Sequence, residues 1–84
     1  MIKGIVSESG SVVAGQGFAL ERTGPGVYTI LLLEPASDAP VVLVTPTEPS
    51  RSAAAIGTAA GAEIMLTDHN GTFVDGGFSF AVLA

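Results

Sequence analysis

Apolar residues along this chain recur with period two, the spacing that sends alternate side chains to opposite faces of a β-strand. From Val27 to Leu33 the alternation sets Val27, Thr29, Leu31 and Leu33 against Tyr28, Ile30 and Leu32. The turn residues Thr23-Gly24-Pro25-Gly26 precede this run and join it to a strand over Phe18–Arg22, closing a hairpin. In that partner strand Phe18, Leu20 and Arg22 share a face opposite Ala19 and Glu21. Three further runs follow the pattern. Val41–Thr45 is β-branched and bounded by Pro40 and Pro46; Ala62–Asp68 puts Ile64 and Leu66 together; Phe78–Leu83 puts Phe78, Phe80 and Val82 on its core face. Ile2–Val6 and Ser11–Ala14 read as shorter strands around the turn Ser7-Glu8-Ser9-Gly10, with a bulge or bend at Gly15-Gln16-Gly17. Ala53–Ala60 is rich in a helix former, but Gly57 interrupts it and it lacks an amphipathic period, so it is assigned as strand. Loops fall at 34–39, 46–52, 69–72 around Asn70-Gly71, and 75–77.

About eight short strands with turn chemistry between them predict one all-β domain over 1–84: an antiparallel, jelly-roll-like β-sandwich. Composition adds a second expectation. Hydrophobic residues make up 48% of the chain and charged ones 13%, against about 25% charged in average domains. A domain of this size buries only about 60% of its unfolded surface, and without cysteine no disulfide supports it. Both faces of the Val27–Leu33 strand are mainly apolar. The expected outcome is a homo-oligomer in which neighbouring copies cover one face, with Tyr28, Ile30, Leu32, Val42 and Val44 at the subunit interface.

Net charge is −5, and the only basic residues are Lys3, Arg22 and Arg51. Three scattered cations do not make the phosphate-neutralising surface of a nucleic-acid or anionic-membrane binder. The longest apolar run, Ile30–Leu33, is too short to span a bilayer, and the start of the chain lacks the apolar core of a signal peptide. The chain as given therefore reads as made in the cytosol.

Candidate chemistry is sparse. His69, the only histidine, sits in a turn without the partners that a metal site or catalytic triad requires. No serine has a nucleophile-elbow context, no spacing singles out a pair among Glu34, Asp38, Glu63, Asp68 and Asp75, and Gly15-x-Gly17 precedes a strand where a nucleotide loop would open a helix. No enzyme is expected. Asp68, Asn70 and Asp75 place oxygen ligands around a glycine turn and are the candidate Ca²⁺ ligands, although the spacing departs from an EF-hand. No other cofactor is expected. Tyr28, Arg51 and Asn70 are the candidate ligand contacts, with loops 46–52 and 68–77 forming shallow sites. Arg22, on a core-type face, calls for a carboxylate partner, which a neighbouring subunit would supply.

Several stretches together resemble a known group of domains. These are Gly15-x-Gly17-Phe18, Arg22-x-Gly24-x-Gly26-Val27-Tyr28-Thr29-Ile30, Ala39-Pro40-Val41-Val42-x-Val44-Thr45 and Phe78-Ser79-Phe80. Across nearly the whole chain they look like the small C-terminal domains of phage tail-fibre and bacterial collagen-like proteins. The resemblance implies a trimeric β-sandwich in a virion or at a cell surface. Such a domain ends a fibre, folds its stalk or binds a receptor, and no catalytic residue transfers. A small carbohydrate-binding module that recognises a cell-surface glycan is the alternative. The 84 residues carry no stalk or collagen repeat, so an excised domain and a stand-alone protein both stay open.

Overall fold

A computed structural model describes residues 1–34 and 40–83. The loop expected at 34–39 lies outside the described residues except for Glu34. Eight strands form: β1 (Ile2–Val6), β2 (Val12–Gly15), β3 (Phe18–Gly24), β4 (Val27–Leu32), β5 (Val41–Pro46), β6 (Arg51–Thr58), β7 (Gly61–Asp68) and β8 (Phe78–Leu83). They make two four-stranded sheets, ordered β2-β1-β8-β5 and β3-β4-β7-β6, in which every pairing is antiparallel. The alanine-rich segment is strand β6. Pairing with β7 along its whole length overrides the helix propensity of alanine.

The strand order departs from a jelly roll, which winds its strands as two Greek keys. Here β1–β2 and β3–β4 remain plain hairpins. Edge strands β5 and β6 of opposite sheets pack side by side, and β8 returns beside β5. Only β5–β8 follow the Greek-key path.

Alternation decides which side chains enter the space between the sheets. Val6, Phe18, Tyr28, Ile30, Ala62, Ile64, Leu66, Phe78, Phe80 and Val82 form the buried core. Ile2, Leu20, Leu32, Val42, Val44, Ala53 and Ala55 pack around it. Three aromatic contacts run through the core. Phe18 meets Phe80 edge-on at 4.8 Å between ring centroids; Phe78 lies 5.2 Å from Tyr28 and 6.2 Å from Phe80. Such pairs contribute about 0.5–1.5 kcal/mol each beyond the area they bury. Gly4 makes room for the first pair, since a β-carbon there would stand 2.6 Å from the Phe18 ring.

This core corrects the expected interface. Tyr28, Ile30, Leu32, Val42 and Val44 are on the inward faces of β4 and β5 and pack within the chain's own core. Two sheets of four strands supply enough inward residues to cover that face without a neighbour. The uncovered face of β4 is the other one, where Leu31 is 39% exposed.

Candidate functional site

Polar side chains gather at one end of the sandwich, where the β3–β4 turn meets the loop 69–77 and the loop 47–50, which is shorter than the expected 46–52 because Arg51 and Ser52 join β6. Asp75 is the hub. Its Oδ1 accepts hydrogen bonds from Arg22 Nε and from the backbone N–H of Gly26, each at 2.9 Å, and its Oδ2 lies 2.9 Å from Arg22 Nη2. The carboxylate partner of Arg22 therefore comes from the same chain. Arg22, which follows Phe18 and Leu20 on the inward face of β3, reaches the end of the sandwich with its guanidinium still partly in water. This two-point bond holds the Asp75 carboxyl below its ordinary pKa and raises that of Arg22. Gly26 has φ of 70° and lies tight against the chain. A β-carbon there would sit 2.6 Å from the Leu66 carbonyl oxygen and 2.8 Å from the Val74 nitrogen. Glycine suits both the left-handed backbone and the close approach.

Tyr28 is fully buried. Its hydroxyl donates to the Glu8 carbonyl at 2.8 Å and accepts from the Gly76 N–H at 3.3 Å. Burial raises its pKa. A ring enclosed in this way offers no surface to a ligand, so Tyr28 acts as a strut of the core and leaves the set of ligand contacts.

The two loops expected to adjoin do so. Glu48 Oε1 accepts from the Gly77 N–H at 3.3 Å, and the Thr47 N–H donates to the Gly77 carbonyl at 3.0 Å. Arg51 opens β6 with Nη2 3.8 Å from Glu48 Oε2, and its Nε is buried without a partner among the described residues. Asn70 is exposed in the tight turn after β7, near His69. Its N–H and that of Thr72 donate to Asp68 Oδ1 at 2.8 and 3.1 Å, which lowers the Asp68 pKa. The oxygens expected around Ca²⁺ thus serve other donors. Asp68 closes its own turn, and Asp75 already faces a guanidinium. Among the described residues, no group of three or more histidine and acidic side chains is placed to hold a metal.

Phe73 is a residue that sequence reasoning passed over. It follows the Asn70-Gly71 turn and bridges back to Thr67, yet 52% of its surface is exposed. A lone aromatic between turn residues carries no periodicity to say whether it faces in or out.

The outward faces of the two sheets differ. On the first, Ile5, Val41, Leu43 and Leu83 are exposed around Lys3. A shallow hollow of about 400 Å³ opens there between Lys3, Ile5, Ala14 and Ser79. Gly4 and Gly15, paired across β1 and β2, also line it. On the second sheet one row runs Glu21–Thr29–Glu63–Ile56 across β3, β4, β7 and β6. Leu31 is exposed beside that row, and Ile56 is 54% exposed within it. No family model, curated protein or solved structure matches the chain.

Proposed function

We propose that this chain is a non-enzymatic structural or adhesive module that works as a homo-oligomer. By the resemblance of its Gly26–Ile30 and Phe78–Phe80 stretches, it is a trimeric tip or trimerisation domain of a phage tail fibre or a bacterial surface protein of the collagen-like kind. The observation that carries this reading is the placement of apolar side chains. The space between the sheets is filled, yet Leu31, Leu33, Val41, Leu43 and Ile56 remain exposed on a chain with few charges. Apolar surface of this extent is what assembly covers. The chemistry points the same way. The Arg22–Asp75 and Asp68 bonds tie turns together, and His69 stands alone in its turn.

Light scattering on the purified chain tests the reading. A mass three times 8.4 kDa at micromolar concentration is expected, whereas a monomer throughout that range overturns it. The exposed ring of Phe73, three positions after Asn70 in the same loop, supports a second reading, a carbohydrate-binding module. Aromatic rings stack on the C–H faces of sugars. Binding on a glycan array that disappears in Phe73→Ala would favour this reading over a purely structural module.

A further inference from the structure

We propose that copies of this chain associate front to back, the outer face of β5, β8 and β1 of one copy lying on the outer face of β6 and β7 of the next, with Lys3 set against Glu63. The inference rests on the homo-oligomer reading and specifies which surfaces meet. Its basis is the division of charge between the two faces. Lys3 points outward from β1, in a row with Ala81 and Leu43. No carboxylate projects from this face among the described residues. On the other sheet Glu63 projects outward from β7 directly opposite Ile56 of β6, and Glu21 projects from β3. That face carries no cation among the described residues.

Packing like face on like face would set lysine near lysine, or group the glutamates of both copies without a counter-charge. Packing unlike faces sets a cation against a carboxylate and lays Val41 and Leu43 on Ala54 and Ile56, apolar on apolar. Charge complementarity chiefly decides register and partner orientation, which is its role here.

The position of the two patches also bears on closure. Front-to-back contacts between opposite faces of a flat sandwich would stack without limit. Here both patches adjoin one edge, where β5 and β6 pack side by side. Successive copies can turn about an axis beside that edge, and a ring closes with the edge inward. Lys3 on β1 is set back two strands from that edge and Glu63 on β7 one strand, so their contact forms away from the axis, where solvent reaches it, and is weakened by salt.

The test is a charge exchange read by light scattering and circular dichroism. Lys3→Glu and Glu63→Lys should each keep the wild-type spectrum and need about tenfold or more protein to reach half assembly. The double variant, which restores opposite charges with reversed sign, should return to the wild-type mass. If both single variants assemble like wild type, the proposed contact is wrong while the oligomer reading stands. The same holds if the double variant folds but stays dissociated. If wild type itself remains at 8.4 kDa, both readings fall. Should a reversal variant lose its spectrum, the neutral variants Lys3→Gln and Glu63→Gln decide the question. Each should weaken assembly and reduce its salt dependence, and unchanged assembly in both overturns the contact.

Discussion

The hydroxyl of Tyr28 joins the backbone of Glu8 to that of Gly76, two segments 68 positions apart, at the closed end of the core. Tyr28→Phe keeps the ring and removes both bonds, leaving the buried Gly76 N–H without its acceptor. Such a loss costs about 1–3 kcal/mol, visible as a lower urea midpoint with unchanged slope. A full wild-type midpoint would show that water replaces the hydroxyl. Because burial raises the Tyr28 pKa, the neutral phenol belongs to the folded state. Its contribution is complete below pH 10.0, the ordinary value, and fades as pH rises through the higher folded value. Asp75 acts in the opposite sense. Its carboxyl is held below 3.8, so its contribution is present above that pH and is lost as pH falls through the folded value. Asp75→Asn should therefore be less stable at neutral pH and lose less on acidification. Parallel acid curves for the two proteins would assign the acid sensitivity elsewhere. Since Asp68 and Asp75 already serve N–H donors, adding Ca²⁺ is expected to leave the melting temperature unchanged, and a rise would restore the cation site.

At the scale of elements, β4 shows what alternation reveals and what it leaves open. Both of its faces read as apolar, and so each required a cover. The structure gives one face to the core through Tyr28, Ile30 and Leu32 and leaves Val27, Thr29 and Leu31 outward. Leu31 and Leu32 are adjacent in sequence but stand on opposite sides of the sheet. Leu32→Glu brings a charge against the core and should lower stability by at least about 2 kcal/mol. Leu31→Glu should retain the folded spectrum and reduce assembly. The two variants, compared by circular dichroism and mass, separate folding from association. If Leu31→Glu unfolds the chain and Leu32→Glu does not, the assignment of faces is reversed. The strands themselves were legible to within about two residues, because turn chemistry at Gly10, Gly26 and Gly71 and the prolines at 40 and 46 bound them, although β6 takes in Arg51 and Ser52 from the expected loop 46–52. The alanine strand β6 was harder, since only its pairing with β7 distinguishes it from a helix. The candidate site was less legible. Arg22 was seen to need a carboxylate, but Asp75 lies 53 positions away and nothing local announces the pair.

For the whole molecule, the balance between core and surface sets the prediction. Among the described residues, ten buried ones give a core to a small domain, while a comparable number of large apolar side chains stay outside. A folded monomer of this kind sits close to the limit of independent stability. If assembly covers the outer faces, folding and association are linked and the melting temperature rises with protein concentration. A melting temperature that stays constant from about 1 to 100 µM would argue for a monomer whose exposed apolar groups are tolerated.

By itself, the sequence determined the class of this fold, the place of each strand to within about two residues and which side chains of a strand share a face, because period two and turn residues are local properties that survive without knowledge of neighbours. It also determined that this chain carries more apolar surface than one small core readily holds. The tertiary structure decided the order of strands, the bonds of the Tyr28 hydroxyl to Glu8 and Gly76, and the union of Arg22 with Asp75, since pairing between distant segments depends on which loops cross and not on any single run. It also decided which face of β4 is spare. An apolar side chain reads the same on either face, and only the second sheet, packed against one of them, makes the difference.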